Sequence, residues 1–309
     1  MHRHPLFLPY AALAGVCFFW GTTYVAIRIA VESLPPLLLV ATRFTASGSL
    51  LLTGALLAGF RLPEPKEALH SALLGILGLG AGSLCLSYAE TWIPSSLAAL
   101  LITTSPFWMV LVDTIWAGGE RMRRRALIGM AIGLTGTALL VGPDALHQGL
   151  AGDTVRGFLL LQVGNISWAC ASIGQRRVVR HVSAVTGGAI QQLATGLALW
   201  IPTLALGQYH AEWSLRSAAA TAYLMMFGSI VGYTAYVYAL KKLAVPVVTM
   251  HVYVNPVVAS VLGWLVFREP FGAREAVAMG VIFLGVGVVK RYGTPPPLRE
   301  TAVIPSPEP

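Results

Sequence analysis

The sequence predicts an all-α integral membrane protein with ten transmembrane helices arranged as two inverted five-helix repeats. Three observations carry this. The 309 residues are 56% hydrophobic and 11% charged, with a mean hydropathy of +0.70, far from the balance of a soluble domain. The charged residues collect between long apolar runs that lack period-2 alternation, which selects helices over a barrel. Finally, the chain repeats itself. Trp20 and Arg43 find Trp168 and Gln191 at an offset of 148, and Gly82, Tyr88 and Pro106 find Gly232, Tyr238 and Pro256 at an offset of 150. An odd number of spans per repeat turns the second copy over in the membrane.

In chain order, the apolar runs place spans at 10–30, 36–58, 69–91, 95–117, 126–141, 157–176, 184–206, 218–240, 245–267 and 276–289. The fifth and tenth are the shortest. Arg3 before the first run has the look of a signal peptide, but the run holds Arg28 and is the repeat partner of the sixth, so it reads as a span. The repeats occupy 10–142 and 157–290, with a cytoplasmic segment at 1–9, an outer connection at 143–156 and a proline-rich, disordered cytoplasmic tail at 291–309. With the N-terminus inside, fifteen of the 21 Lys and Arg residues fall at cytoplasmic ends and four in outer loops, which places both termini in the cytoplasm. Arg121, Arg123, Arg124 and Arg125 then set topology. The net charge of +8 sits at membrane edges and gives no basic face for nucleic acid.

Few residues within the spans can carry chemistry. Arg43 lies about seven residues past Pro36, roughly 10 Å into the apolar slab at 1.5 Å per residue. An arginine at that depth faces the protein interior, either reading an anionic substrate or pairing structurally. Its repeat partner is the neutral Gln191. Arg28, nearer a span end, is expected to snorkel. Trp20 and Trp168 are mid-span aromatics suited to a cavity wall, joined by Tyr24, Tyr88, Trp108 and Tyr236. Trp92, Trp116 and Trp200 read as interfacial anchors. Pro106 and Pro256 interrupt the fourth and ninth spans, freeing the carbonyls of Ile102 and Val252 beside polar Ser105 and Asn255, a pattern of gating or cavity helices. His251 is a potential proton carrier or a histidine satisfied by a carbonyl. Glu32 and Glu90 fall at outer ends and Asp113 near an inner one, so no buried carboxylate relay is expected. Gly129, Gly133, Gly136, Gly280, Gly285 and Gly287 read first as packing, with a dimer contact as the lesser alternative. Cys17, Cys85 and Cys170 lack metal-ligand spacing, and the chain has no HExxH, P-loop or GxSxG motif. No catalytic residue, metal or cofactor is expected, and the protein is not read as an enzyme.

The stretches FFWGTTYVAIRIA, PPLLLVATRF, SSLAALLITTSPFWMVLV and the Glu120-Arg121 that follows, with VNPVVASVLGWLVFREPF and its Glu269 in the second half, resemble the EamA-type transporters of the drug/metabolite transporter superfamily. The resemblance covers roughly residues 10 to 290. It implies a multi-pass protein of the bacterial inner membrane, monomeric or weakly dimeric, whose partners are the lipid bilayer and a small-molecule substrate. Spans one to four and six to nine would line a midplane cavity, with five and ten peripheral. It further implies export of small metabolites such as amino acids by alternating access. Exchange of nucleotide sugars, nucleobases or drug-like compounds is the alternative within the superfamily, and a membrane scaffold or receptor is the alternative outside it. The chain departs from the repeat pattern at Gln191 for Arg43 and at Ala169 for Gly21, so the halves are not equivalent along the substrate path.

Overall fold

The computed structural model describes residues 7–116, 124–148, 152–178, 182–243, 245–248 and 251–293. Glu120, Arg121, Arg123 and the tail from residue 294 lie outside the described residues. Every regular element among the described residues is helical. The first half comprises α1 (Phe7–Val31), α2 (Pro36–Leu57), a rod made of α3 (Pro65–Gly75), π1 (Ile76–Ala81) and α4 (Gly82–Trp92), then α5 (Ser95–Ile102), α6 (Ser105–Ile115) and α7 (Arg124–Gln148). The second comprises α8 (Asp153–Val178), α9 (Ala184–Ala205), a rod of α10 (Leu215–Tyr223), π2 (Leu224–Tyr233) and α11 (Thr234–Lys242), then α12 (Val245–Val248), α13 (His251–Phe267) and α14 (Ala273–Gly293).

Six helical stretches are long and apolar enough to cross a membrane: Phe7–Val31, Pro36–Leu57, Pro65–Trp92, Ser95–Ile115, Asp153–Gln175 and Leu215–Ala239. Leu127–Pro143 and Val254–Phe267 are shorter apolar helices. The expected seventh and tenth spans, α9 and α14, are helices of 22 and 21 residues outside both groups. In α9 the reason is visible: Thr186, Gln191, Gln192, Thr195 and Thr203 dilute its hydropathy, yet all five are buried. Most of 143–156, expected as a loop, is helix, because α7 runs through Pro143 to Gln148 and α8 begins at Asp153.

Helix ends follow local chemistry. Pro36 and Pro65 begin α2 and α3, where the missing amide proton costs nothing. Ser183 caps α9 by accepting from the Thr186 amide at 3.0 Å, and Ser214 and Ser217 form a capping box on α10. α2 and α9 both close in Schellman turns. Phe60 N–H donates to Ala55 and Gly59 to Leu56, as Gln208 does to Thr203 and Gly207 to Leu204. The turns need left-handed backbone, supplied by Gly59 (φ 78°) and Gly207 (φ 66°), which lie 148 residues apart.

Packing obeys the same offset. α2 lies antiparallel on α9, and Gly48 and Gly196 make the crossing possible. A Cβ on Gly48 would stand 2.3 Å from the Leu193 amide nitrogen, and one on Gly196 would stand 2.2 Å from that of Thr45. Gly48 and Gly196 are related by 148, as are Thr45 and Leu193, so the contact is reciprocal. α7 lies antiparallel on α14 in the same manner: a Cβ on Gly285 would meet the Gly133 nitrogen at 2.3 Å, and one on Gly136 the Ala278 carbonyl at 2.9 Å. These glycines are spent inside the chain, as packing.

The rods contain the least anticipated feature. π1 and π2 are wide-turn segments at matching repeat positions, and each receives the first helix of the opposite half. Trp20 Nε1 of α1 donates to the Gly228 carbonyl of π2 at 3.1 Å, and Ser167 Oγ of α8 donates to the Leu77 carbonyl of π1 at 2.5 Å.

Candidate functional site

The helices enclose a cavity of about 160 Å³ at the meeting of the two halves. From the first half, α1 contributes Trp20, Thr23, Tyr24 and Ile27, α2 contributes Arg43 and Phe44, and the π1–α4 rod and α5–α6 supply Leu79, Gly82, Ser83, Leu86, Ala99, Ile102 and Ser105. The second half supplies Leu161, Gly164, Asn165 and Trp168 of α8, Gly228, Ser229 and Tyr233 of π2, and His251, Val252 and Asn255 of α13. No cavity residue comes from α7 or α14, and α9 contributes none either.

Several polar side chains here are held by local geometry. Arg43 is 8% exposed, and its Nε donates to Ser229 Oγ at 2.7 Å. Gly228 makes room for the guanidinium, since a Cβ there would stand 2.8 Å from Nη2. The ring of the neighbouring Phe44 lies 4.9 Å from the guanidinium carbon. Across the cavity, Thr104 Oγ1 and Trp108 Nε1 both donate to Gln162 Oε1, at 2.9 and 2.8 Å, and Asn165 Nδ2 donates to Thr104 Oγ1 at 3.1 Å. With its amide nitrogen turned toward them, Asn255 donates to the Cys17 and His251 carbonyls at 3.0 Å each. Asn165 and Cys17 are 148 apart, so the α8–α6 and α1–α13 seams carry matching polar ties.

One wall is aromatic. Trp20 stands edge-on to Trp168 with ring centres 6.0 Å apart, and packs 4.9 Å from Tyr236 and 5.2 Å from His251. His251 Nδ1 lies 2.9 Å from the Val248 carbonyl, which can only accept, so that nitrogen carries the proton.

Of the candidate residues, the structure places Trp20, Tyr24, Arg43, Ser105, Trp168, His251 and Asn255 at the cavity. Tyr236 backs the aromatic wall. Tyr88 is away from it, donating to Gln208 Oε1 at 3.0 Å, and Trp108 stands behind Asn165 on Gln162. Gln191 is buried beside α3 and accepts from the Tyr233 hydroxyl, lining a separate small pocket. Pro106 follows a real discontinuity: α5 stops at Ile102, and Thr103 and Thr104 turn tightly onto the Leu100 and Leu101 carbonyls through their amides, with the Thr103 hydroxyl adding a second bond to Leu100. Pro256 sits inside continuous α13. Tyr233, one of the mid-span aromatics of the sequence, also lines the cavity, as do Thr23, Ser83, Asn165 and Ser229, which were not singled out from the sequence. The glycines at 78, 82, 228 and 232, two pairs at offset 150, were the available signal for the rods that carry several of them.

A second polar cluster gathers at the span end where the sequence places Glu90. Glu90 is 0% exposed, and Glu269 is also buried. Glu269 accepts from Ser95 N–H and Oγ at 2.8 Å each and from Ser96 N–H at 2.9 Å, which caps α5 from the other half. Arg28 is tied to the main chain at the end of α4. Its guanidinium donates to the Glu90 main-chain carbonyl, with Ile93 O at 3.5 Å. The Glu90 carboxylate oxygens have no hydrogen-bond partner among the described residues.

Comparison with known proteins agrees with this architecture. Residues 8–142 and 155–291 each match the EamA-like transporter family. The uncharacterized inner membrane transporter YedA of Escherichia coli (strain K12) is 37% identical over 287 residues, 92% of this chain and 90% of that protein. A probable terminal-alkyne amino-acid exporter of Streptantibioticus cattleyicolor is 26% identical, with 91% and 92% covered. A probable amino-acid metabolite efflux pump of Salmonella typhimurium is 28% identical over 54% of this chain and 52% of its own length. A chain from a solved crystal structure shares the fold, with a TM-score of 0.65 at 24% identity, covering 91% of this chain and 96% of that one. The chain therefore belongs to the EamA-like transporter family, carrying two EamA repeats in one multi-pass membrane protein.

Proposed function

We propose that this chain is a secondary exporter of small metabolites, amino acids and related compounds among them, working by alternating access between two inverted five-helix halves. The observation that carries the reading is the cavity itself: it lies where the halves meet and is walled from both by Trp20 and Trp168, one repeat apart. The antiparallel α2–α9 and α7–α14 pairs support inversion, because corresponding helices run in opposite directions. The reciprocal docking of Trp20 on π2 and Ser167 on π1 supports a pair of matched hinges. The Lys and Arg distribution supports cytoplasmic termini in the inner membrane. Glycines 133, 136 and 285 are already occupied in packing α7 on α14, which favours a monomeric carrier.

Size favours small cargo. A cavity of about 160 Å³ is close to the roughly 150 Å³ that admits one benzene molecule, so it suits compounds of an amino acid's bulk. The names of two relatives, an amino-acid exporter and an amino-acid metabolite efflux pump, point the same way. Untargeted metabolomics of spent medium from overexpressing cells, against a vector control, tests the reading. The expected result is accumulation of a small set of polar metabolites; an unchanged medium across nutrient conditions overturns it.

A further inference from the structure

We infer that Arg43 is the seat for a substrate carboxylate, so that the cavity takes small organic acids and amino acids through their acid group and rejects the corresponding amines; this rests on the transport reading above. The inference starts from an unfinished hydrogen-bond account. A guanidinium carries five N–H donors in a rigid fork. In Arg43, Nε is committed to Ser229 Oγ at 2.7 Å, while the Nη1 and Nη2 groups have no protein acceptor among the described residues. None of the described carboxylates forms an ion pair with it, and the cavity wall contains no Asp or Glu at all. A cation that is 8% exposed, at membrane depth and without a counter-charge, costs several kcal/mol unless an anion or water completes it.

The surroundings aim this charge at a ligand. Ser229 fixes Nε, and the bare backbone at Gly228 lets Nη2 pack close against π2, while Arg43 lines the cavity. A planar fork whose terminal nitrogens have no protein acceptor among the described residues matches the two oxygens of one carboxylate. The equivalent place in the other half is closed to this chemistry. Gln191 is neutral, does not line the cavity, and has its oxygen occupied by the Tyr233 hydroxyl. The cavity is thus charged at one pole, with aromatic Trp20 and Trp168 and aliphatic Leu161 and Val252 to receive the rest of the molecule. With about 160 Å³ to fill, a body of roughly the size of a benzene ring or a leucine side chain fits beside the carboxylate.

The test uses purified full-length protein in detergent and three compounds sharing one body: L-leucine, L-leucinamide and isoamylamine, with 4-methylpentanoate as the acid lacking an amine. Ligand-induced thermal stabilisation reports binding. The two carboxylates are expected to stabilise the wild type, and the amide and amine to bind at least about tenfold more weakly. Arg43→Gln should lose the preference for the acids, and Arg43→Lys, which keeps the charge without the fork, should recover part of it. Equal binding of acid and amide, no binding by any of the four, or an acid preference that survives in Arg43→Gln would overturn the inference. Spent medium enriched in amines or other cations would leave transport standing and remove the carboxylate seat. Arg43-dependent acid binding with an unchanged medium would do the reverse.

Discussion

Glu269 holds its carboxylate against the start of α5 through two main-chain amides and a hydroxyl, all within 2.9 Å. The bonds join residues about 174 positions apart, so this one side chain ties the end of the second half to the first. Glu269→Ala should lower thermal stability in detergent by about 2–4 kcal/mol, since it strands buried donors and removes the charge at a helix N-terminus. Glu269→Gln, which keeps one acceptor, should lose less. Glu90 behaves in the opposite sense. Its carboxylate is fully buried, has no hydrogen-bond partner among the described residues and shares its surroundings with Glu269, so Glu90→Gln should stay within about 1 kcal/mol of wild type or exceed it. A large loss in Glu90→Gln melts would mean that the ionised form is structural. Neither role is legible in the sequence. Position along a span fixes depth, but what stands beside a residue at that depth depends on helices far away in the chain, and Glu90 reads as interfacial until Arg28, Ser95 and Glu269 are brought around it.

At the scale of elements, the helices themselves were readable because each span is a long apolar run ended by Pro, Gly or charge. Their interruptions were not. The break in the fourth span falls at Thr103 and Thr104, close to where Pro106 predicts it, whereas Pro256 is absorbed inside α13. The wide turns of π1 and π2 arise where glycine removes side-chain bulk and a partner helix comes close, as at Gly78 against Ala171 and Gly232 against Trp20. Glycine in a sequence announces freedom without saying which neighbour will use it. The α2–α9 crossing permits a sharp test. Gly48→Ala or Gly196→Ala would drive a methyl group into backbone at 2.2–2.3 Å and should cost about 1–3 kcal/mol, visible as reduced monodisperse protein and a lower melt. Gly54→Ala on the same helix, with nothing within 4 Å, should be neutral or stabilise by about 0.5–1 kcal/mol. Equal behaviour of the three variants would mean that the crossing tolerates separation.

For the whole molecule, the repeat offset was the most productive sequence observation, since it names the matched aromatic pair and recurs in the paired Schellman turns and the reciprocal glycines. It fails where the halves diverge: Gln191 does not reach the cavity that Arg43 lines, and Tyr88 and Trp108 serve other seams. The proposed inverted arrangement makes a topological prediction at two equivalent, exposed loops. Reporter fusions at Leu62 and at Glu212 should report opposite sides of the membrane, with Leu62 in the cytoplasm; the same side for both would refute inversion.

The reciprocal crossing of α2 and α9 has an evolutionary consequence. Gly48, Gly196, Thr45 and Leu193 build that crossing, and none of them lines the cavity. Selection can therefore rewrite the chemistry at position 43 while the joint that assembles the two halves stays under its own, separate constraint. Such a division lets descendants of one ancestor drift toward different cargoes without relearning how to fold.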